Sequence, residues 1–418
     1  MTTQRHEDAK PKLYGDGIRD DYPAIQQLLD SGAVAVRLPM PKKEYVISKT
    51  LVIHSDQQLI LDRYARIRLA DNSNCLMIRN AVPHKDKNIC VEGGVWDMNH
   101  TKQLPNPFRF PPDELDNPIY YEKPHSNKTL YAQWNQNALK GRDFLNVYCG
   151  MAMQFNGIKG LTLKGLTIRN PVVYGVQAAH LTHFLIEDIY FEYTEGSPKL
   201  WNMDGVHLEG GCHYGVIRNL RGNCHDDTVA LTADDSLHGE ISDVRIDGIY
   251  AEGPSHSAVR LLSYKTPVRN ISISNVFGRF YTYCIGITKY GGLPEDRGVM
   301  ENICIDNVFA ENCCGTQDVS GGRYPFLFIE GGLRINSLSV VNAFREESFS
   351  HLPFIFIGDN SVVDHMSLRN VRQKNRLGSE IAFLENRGII GRLSVQEVQT
   401  DGVPLVVGSG TVGESDLH

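Results

Sequence analysis

From about residue 158 onward the chain repeats one short pattern: apolar, any, apolar, any, any, apolar, punctuated by Asn, Asp or Gly. It reads LTLKGLTIRN (161–170), FLIEDIYFEY (184–193), VRIDGIYAEG (244–253), ISISNVFGRF (271–280), ICIDNVFAEN (303–312), LSVVNAFREE (338–347), MSLRNVRQKN (366–375) and LSVQEVQTDG (393–402), with a weaker copy in GVIRNLRGN (215–223). The last apolar positions are Leu166, Ile189, Leu220, Ile249, Val276, Val308, Ala343, Val371 and Val398, which recur every 23 to 35 residues. Such a period signals a solenoid, because each unit buries its apolar face only by stacking on its neighbours. The runs are short, alternating and rich in Val, Ile and Leu, and no unit carries a helix-length apolar stripe. A propeller needs about four strands per repeat, and these units are too short and uneven. The pattern predicts an all-β fold, a single-stranded right-handed parallel β-helix with three short strands per coil and Gly or Asn at the corners.

The ends and one interruption fit that solenoid as a single domain over 1–418. GDGIRDDYPAIQQLLDSG (15–32) predicts an N-terminal cap with a short amphipathic helix, started by Asp20 or Asp21 and stopped by Gly32. VRLP, YVISKTLVIHS, QLILDRYARIRLAD and NICVEGGVWDMN then read as the first coils. The pattern breaks over 98–156, a Pro-rich inserted loop with Phe108, Phe110, Tyr120, Tyr121, Tyr131 and Trp134. Its aromatic rings suit either a wall beside a groove or packing onto the solenoid.

Composition narrows the partners. The chain has 418 residues, 41% hydrophobic and 22% charged, and a formal charge of -7 with no basic run, so nucleic acid is not an expected partner. No stretch reaches 18 apolar residues and the N-terminus lacks an apolar leader, so neither a membrane span nor a signal peptide is read. The nine Cys are scattered without metal-ligand spacing, which predicts reduced core thiols, no metal and a cytoplasmic protein, or a secreted one if a leader has been removed. No cofactor is expected. A monomer or a homo-oligomer, a trimer included, is compatible with the chain.

Four successive coils can be put in register through NMDGVHLEG (202–210), HDDTVALTA (225–233), SHSAVRLLS (255–263) and CIGITKYGG (284–292). Val206 and Leu208, Val229 and Leu231, Val259 and Leu261, Ile285 and Ile287 then point inward, and the residues between them outward. This places Asp204 one coil from Asp226 and Asp227, with His256 one coil further. Clustered carboxylates raise one another's pKa, so one can hold a proton while another is ionised. Those four are the catalytic candidates. Asn202, His207, Glu209, His225, Arg260, Lys289, Trp201 and Trp134 are the substrate-binding candidates. The second acidic pair, Asp234-Asp235, follows the strand and reads as a corner.

These residues resemble those of glycoside hydrolase family 28, the polygalacturonase family, on a pectate-lyase-like β-helix. Asn202-Met203-Asp204-Gly205 matches the family's Asn-x-Asp motif and Asp226-Asp227 its Asp-Asp motif. Ser255-His256-Ser257 keeps the His of Gly-His-Gly without either Gly. Ile285-Gly286-Ile287-Thr288-Lys289 stands where the family carries Arg-Ile-Lys and has no Arg, which leaves Arg260 as a substitute cation. GDGIRDDYPAIQ is similar to the N-terminus of many proteins with this fold. The resemblance implies an inverting glycosidase acting on a pectin-type or related poly- or oligosaccharide. Asp226 would be the general acid, Asp204 and Asp227 would hold and activate water, and His256 would tune the acid. Inversion needs carboxyl groups roughly 6.5–9.5 Å apart, whereas direct stacking gives nearer the retaining distance of roughly 5–5.5 Å. The eroded Arg-Ile-Lys motif puts galacturonate itself in doubt, and the 98–156 loop would close one end of a groove and favour exo action. Two alternatives stand. One is another carbohydrate-active enzyme on this fold: a polysaccharide lyase, an epimerase or an anhydro-sugar-forming transferase. The other is a non-catalytic, tailspike-like glycan-binding solenoid.

Overall fold

Apolar side chains two apart along a strand leave the same face and meet their equivalents in the next coil. A computed structural model describes residues 12–104, 150–196, 200–235, 237–290, 293–316 and 321–417, and it shows this stacking directly. Ile189 pairs with Leu220, Leu220 with Ile249, Ile249 with Val276, Val276 with Val308, Val308 with Ala343 and Ala343 with Val371. Among the described residues the strands form one sheet of 17 and one of 12, and the pairings are parallel. The protein is a right-handed parallel β-helix, as the repeat predicts. Its core runs from Ile25 to Val395, and burying one such Val, Leu or Ile contributes about 1.5–3 kcal/mol.

The corners explain the punctuation. Gly165, Asp188, Asn219, Gly248, Asn275, Asn307, Asn342, Asn370 and Glu397 each precede the last apolar residue of a repeat, and all have left-handed backbones with φ between +50° and +90°. Gly adopts this region freely, and Asn and Asp reach it because a short side chain can bond locally. Here the bond runs to the neighbouring coil. Asn370 Nδ2 donates to Asn342 Oδ1 (2.8 Å), Asn342 Nδ2 to Asp306 Oδ1 (2.9 Å) and Asn219 Nδ2 to Asp188 Oδ1 (3.1 Å). Ladder pairing continues through these bends. The first coils keep three short strands, such as Gln58–Leu61, Arg66–Leu69 and Ile78–Asn80, whereas from Thr182 onward most coils show one short strand and one long bent one, such as Ile241–Ser255 or Leu333–Glu347.

The cap forms as expected and is tighter than its sequence span. The helix is Tyr22–Asp30, with Asp21 at the N-cap, and Ile25 and Leu29 are fully buried against the first coils. The Asp21 carboxylate does not cap the helix. It accepts from Tyr14 N (2.5 Å), Gly15 N (3.2 Å) and Val46 N (3.3 Å), tying the leading segment to the solenoid. Cys212, Cys224, Cys284 and Cys313 are buried free thiols, whereas Cys314 is exposed. Among the described residues no helix is long and apolar enough to cross a membrane.

Candidate active site

The four aligned strands are Val206–Glu209, Asp227–Thr232, Ser257–Leu262 and Ile285–Thr288. Val206 pairs with Val229, Val229 with Val259 and Val259 with Ile285, the register the sequence suggests. The outward column is His207, Ala230, Arg260 and Gly286. Ala230 and Gly286 flank Arg260 and leave its long side chain free to fold back. Its Nε lies 2.9 Å from Asp227 Oδ2, an ion pair not aligned as a hydrogen bond. The Tyr283 ring covers Gly286 so closely that a Cβ there would stand 2.6 Å from it. The Tyr283 hydroxyl donates to Asp227 Oδ1 (3.3 Å), and the Ser257 hydroxyl donates to the same oxygen. Asp227 is thereby fully buried and held from three sides.

Its neighbour Asp226 points the other way. The Asp226 side chain keeps 20% of its surface open and lies 3.5 Å from His256 Nδ1. Asn202, held in a left-handed turn (φ +52°), donates from Nδ2 to Asp226 Oδ2 (3.4 Å). The His256 ring stands edge-on to Tyr281, with centroids 5.3 Å apart. Adjacent residues entering a strand face opposite sides, so the doublet divides into one partly open carboxyl and one locked against Arg260. Asp226, Asp227 and His256 offer oxygen and nitrogen atoms all within 4.8 Å of one another. Arg260 already supplies the positive charge beside them.

Asp204, contributed by the preceding coil, is buried. Its Oδ2 lies 2.8 Å from His207 Nδ1, and its Oδ1 has no hydrogen-bond partner among the described residues. Burial, then the Asp226 and Asp227 charges, push its carboxyl well above the ordinary range and favour the protonated form. The sign for stability follows. Between the ordinary and the raised pKa the folded chain binds more protons than the unfolded one, so stability falls as pH rises through that window. Asp204→Asn removes this slope. We expect the variant to be more stable than wild type, with a gain in urea midpoint that grows from pH 4 to pH 7. A gain independent of pH would contradict this.

Several candidate binding residues are corrected. His207 and Glu209 do leave the outer face of the sheet, but both are fully buried. Glu209 Oε1 accepts from Gln177 Nε2 and its Oε2 from Leu237 N, so it braces the neighbouring chain segments. His225 is buried and donates from Nε2 to the Tyr193 carbonyl (3.1 Å). Lys289 donates from Nζ to the carbonyls of Leu293 (2.9 Å), Asp296 (2.8 Å) and Pro294 (3.4 Å), so it staples its own loop. Arg260 is the counter-ion of Asp227 rather than a free cation. Trp201 is half-buried beside Asn202. Trp134 and most of the 98–156 loop lie outside the described residues.

The second acidic pair also divides. Asp234 takes the corner role: although burial opposes it, the Thr266 hydroxyl and the N–H groups of Thr266, Lys265 and Tyr264 hold its carboxyl below the ordinary range. Asp235 instead turns back into the site, with Oδ2 3.6 Å from His207 Nε2. The His207 ring is clamped by Tyr174, stacked at 4.1 Å and 6°. Sequence reasoning missed Asp235, Tyr174, Ser257 and Tyr283. Register was a usable signal for two of them, since Ser257 and Tyr283 precede Val259 and Ile285 as Asp204 precedes Val206.

No family model matches this sequence, and no curated protein matches it. Solved structures do match its fold. A family 28 exopolygalacturonase of Yersinia enterocolitica superposes with a TM-score of 0.58 at 16% identity, over 97% of this chain and 76% of that one. The A-module of a mannuronan C-5 epimerase of Azotobacter vinelandii gives 0.55 at 11%, over 96% and 97%. PfbA, a surface adhesin of Streptococcus pneumoniae, gives 0.55 at 12%, over 97% and 92%. At such identities the likeness shows the fold alone, and that fold carries a hydrolase, an epimerase and an adhesin.

Proposed function

We propose that this protein is an inverting glycoside hydrolase. The observation that carries the reading is the division of Asp226-Asp227. One carboxyl stays partly open beside His256, and the other is buried against Arg260 one coil from Asp204. Such a division gives the two unlike environments that a two-carboxyl hydrolysis uses. Asp226 and Asp227 offer oxygens within 4.8 Å of each other, below the usual inverting separation, so inversion rests on the family resemblance and not on spacing. Asp226 gives its proton to the glycosidic oxygen as the bond breaks. Water on the opposite face of the sugar, held and activated by Asp204 and Asp227, forms the new bond to the anomeric carbon. His256 stands beside Asp226 at 3.5 Å, and burial raises the Asp227 carboxyl while Arg260 opposes that rise and favours its ionised form. With Arg260 committed to Asp227 and Lys289 to loop carbonyls, neither expected cation is free for a uronate carboxylate. That favours a neutral or differently substituted glycan, and exo action remains the expectation for its mode.

The test is a screen of defined oligosaccharides, neutral and pectin-derived, with the first-formed anomer read by proton NMR. An inverted product is expected. A retained product would overturn the inverting assignment, and rising absorbance at 235 nm would replace hydrolysis by elimination. Binding without turnover of any glycan would favour the non-catalytic solenoid.

A further inference from the structure

His207 is the only imidazole placed between two carboxyl groups among the described residues of the site, and its partners specify where its proton sits. On one side is Asp204 Oδ2, 2.8 Å from Nδ1. On the other are Thr232 Oγ1, 3.2 Å from Nε2, and Asp235 Oδ2, 3.6 Å from it. The Thr232 hydroxyl lies 3.1 Å from the Leu208 carbonyl, which can only accept, so the threonine's single hydrogen goes there. Its oxygen is then left to accept from Nε2. Asp235, with 40% of its side chain open to solvent, stands on the same side; burial raises its carboxyl, and Arg260 and His238 oppose that rise and favour the carboxylate. Both groups favour hydrogen on Nε2. A neutral imidazole carries one such hydrogen, so Nδ1 becomes a bare acceptor. The group facing it, Asp204 Oδ2, must then be the donor.

We infer that Asp235, acting through His207, holds Asp204 as a neutral, protonated carboxyl. This rests on the hydrolase reading and sharpens it. Of the two carboxyl groups assigned to the water, Asp227 alone takes its proton. Asp204 orients that water as a hydrogen-bonding group, through the Oδ1 that has no partner among the described residues. Asp235 is a positioning residue and does not touch the reacting atoms. The other charged groups around this trio are Arg260, Asp226, Asp227 and His238, and Tyr174 stacks on the ring. Burial and Arg260 keep His207 well below its ordinary pKa, consistent with a neutral ring.

The test needs no substrate. Nitrogen-15 shifts of the His207 ring, in uniformly histidine-labelled protein at pH 7, distinguish the two neutral tautomers. Assignment comes from the signal lost in His207→Gln. Wild type is expected to show hydrogen on Nε2 and an unprotonated Nδ1. Asp235→Asn, a change at an exposed side chain, is expected to shift the population toward hydrogen on Nδ1, with Asp204 ionising. Asp204→Asn, whose amide can donate to Nδ1, is expected to keep the wild-type tautomer. Hydrogen on Nδ1 in wild type would overturn the inference outright. An unchanged tautomer in Asp235→Asn would remove Asp235 from it. Lack of turnover in the glycan screen would sink the hydrolase reading and leave this result standing, so the two failures are separable.

Discussion

Asp226→Asn is expected to lower kcat/KM on any glycan the wild type cleaves by about 10²–10⁴-fold, the range that general acid catalysis contributes. The structure gives this substitution an unusually clean meaning. Asp226 keeps 20% of its side-chain surface open and lies 3.5 Å from His256 and 3.4 Å from Asn202. Asparagine has nearly the same shape and its carbonyl still accepts from Asn202. Stability is therefore expected to stay within about 0.5 kcal/mol of wild type, as for a surface change. The loss should be largest for leaving groups that most need a proton, and small for an activated aryl glycoside. A residual rate within about tenfold of wild type on a natural linkage would show that Asp226 is not the acid, since that is below the contribution expected of the role.

Arg260→Met carries the largest expected cost in stability, about 3–5 kcal/mol at pH 7, because it leaves a buried carboxylate without its counter-ion. Asp227 is fully buried, and Arg260 contacts it at 2.9 Å. The same change at Arg392, whose pair with Asp416 has side chains 50% and 41% exposed, should cost no more than about 1 kcal/mol. The comparison isolates burial as the cause. Asp227 can escape the penalty by taking a proton, so the cost should shrink as pH falls toward 4. Asp227→Asn in the Arg260→Met background should restore most of the loss. Urea unfolding at pH 4 and pH 7 measures both effects. A cost equal to that at Arg392, or one independent of pH, would show that the guanidinium is not the counter-ion that matters.

Most of the architecture was readable along the chain. Residues such as Ile189, Leu220 and Val276 alternate with polar neighbours and recur at a solenoid's spacing, and in the structure they stack on one another. The corner residues were readable for a related reason: left-handed backbone strongly favours Gly, Asn and Asp, so Asn275, Asn307 and Asn342 mark bends by their identity. The same arithmetic of register put Asp204, Asp226, Asp227 and His256 on successive coils. What it could not supply was the use of each side chain once there. Lys289 and His225 sit at plausible positions, yet Lys289 Nζ and His225 Nε2 are taken by backbone carbonyls. Glu209 faces outward from the strand and is still covered.

The two acidic doublets locate the boundary between the two sources. Local chemistry in the sequence determined the β-helix, its corners, its cap and the coils that carry the carboxyl groups, because periodicity and backbone preference act over a few residues. Tertiary structure alone decided that Asp226 stays partly open beside His256, that Asp227 is locked by Arg260, that Asp234 anchors the next coil and that Asp235 returns to His207. Those outcomes depend on partners 28 to 33 residues away in the chain, brought within 4 Å by stacking. No pairwise spacing in the sequence encodes the direction in which a side chain turns after its strand has ended.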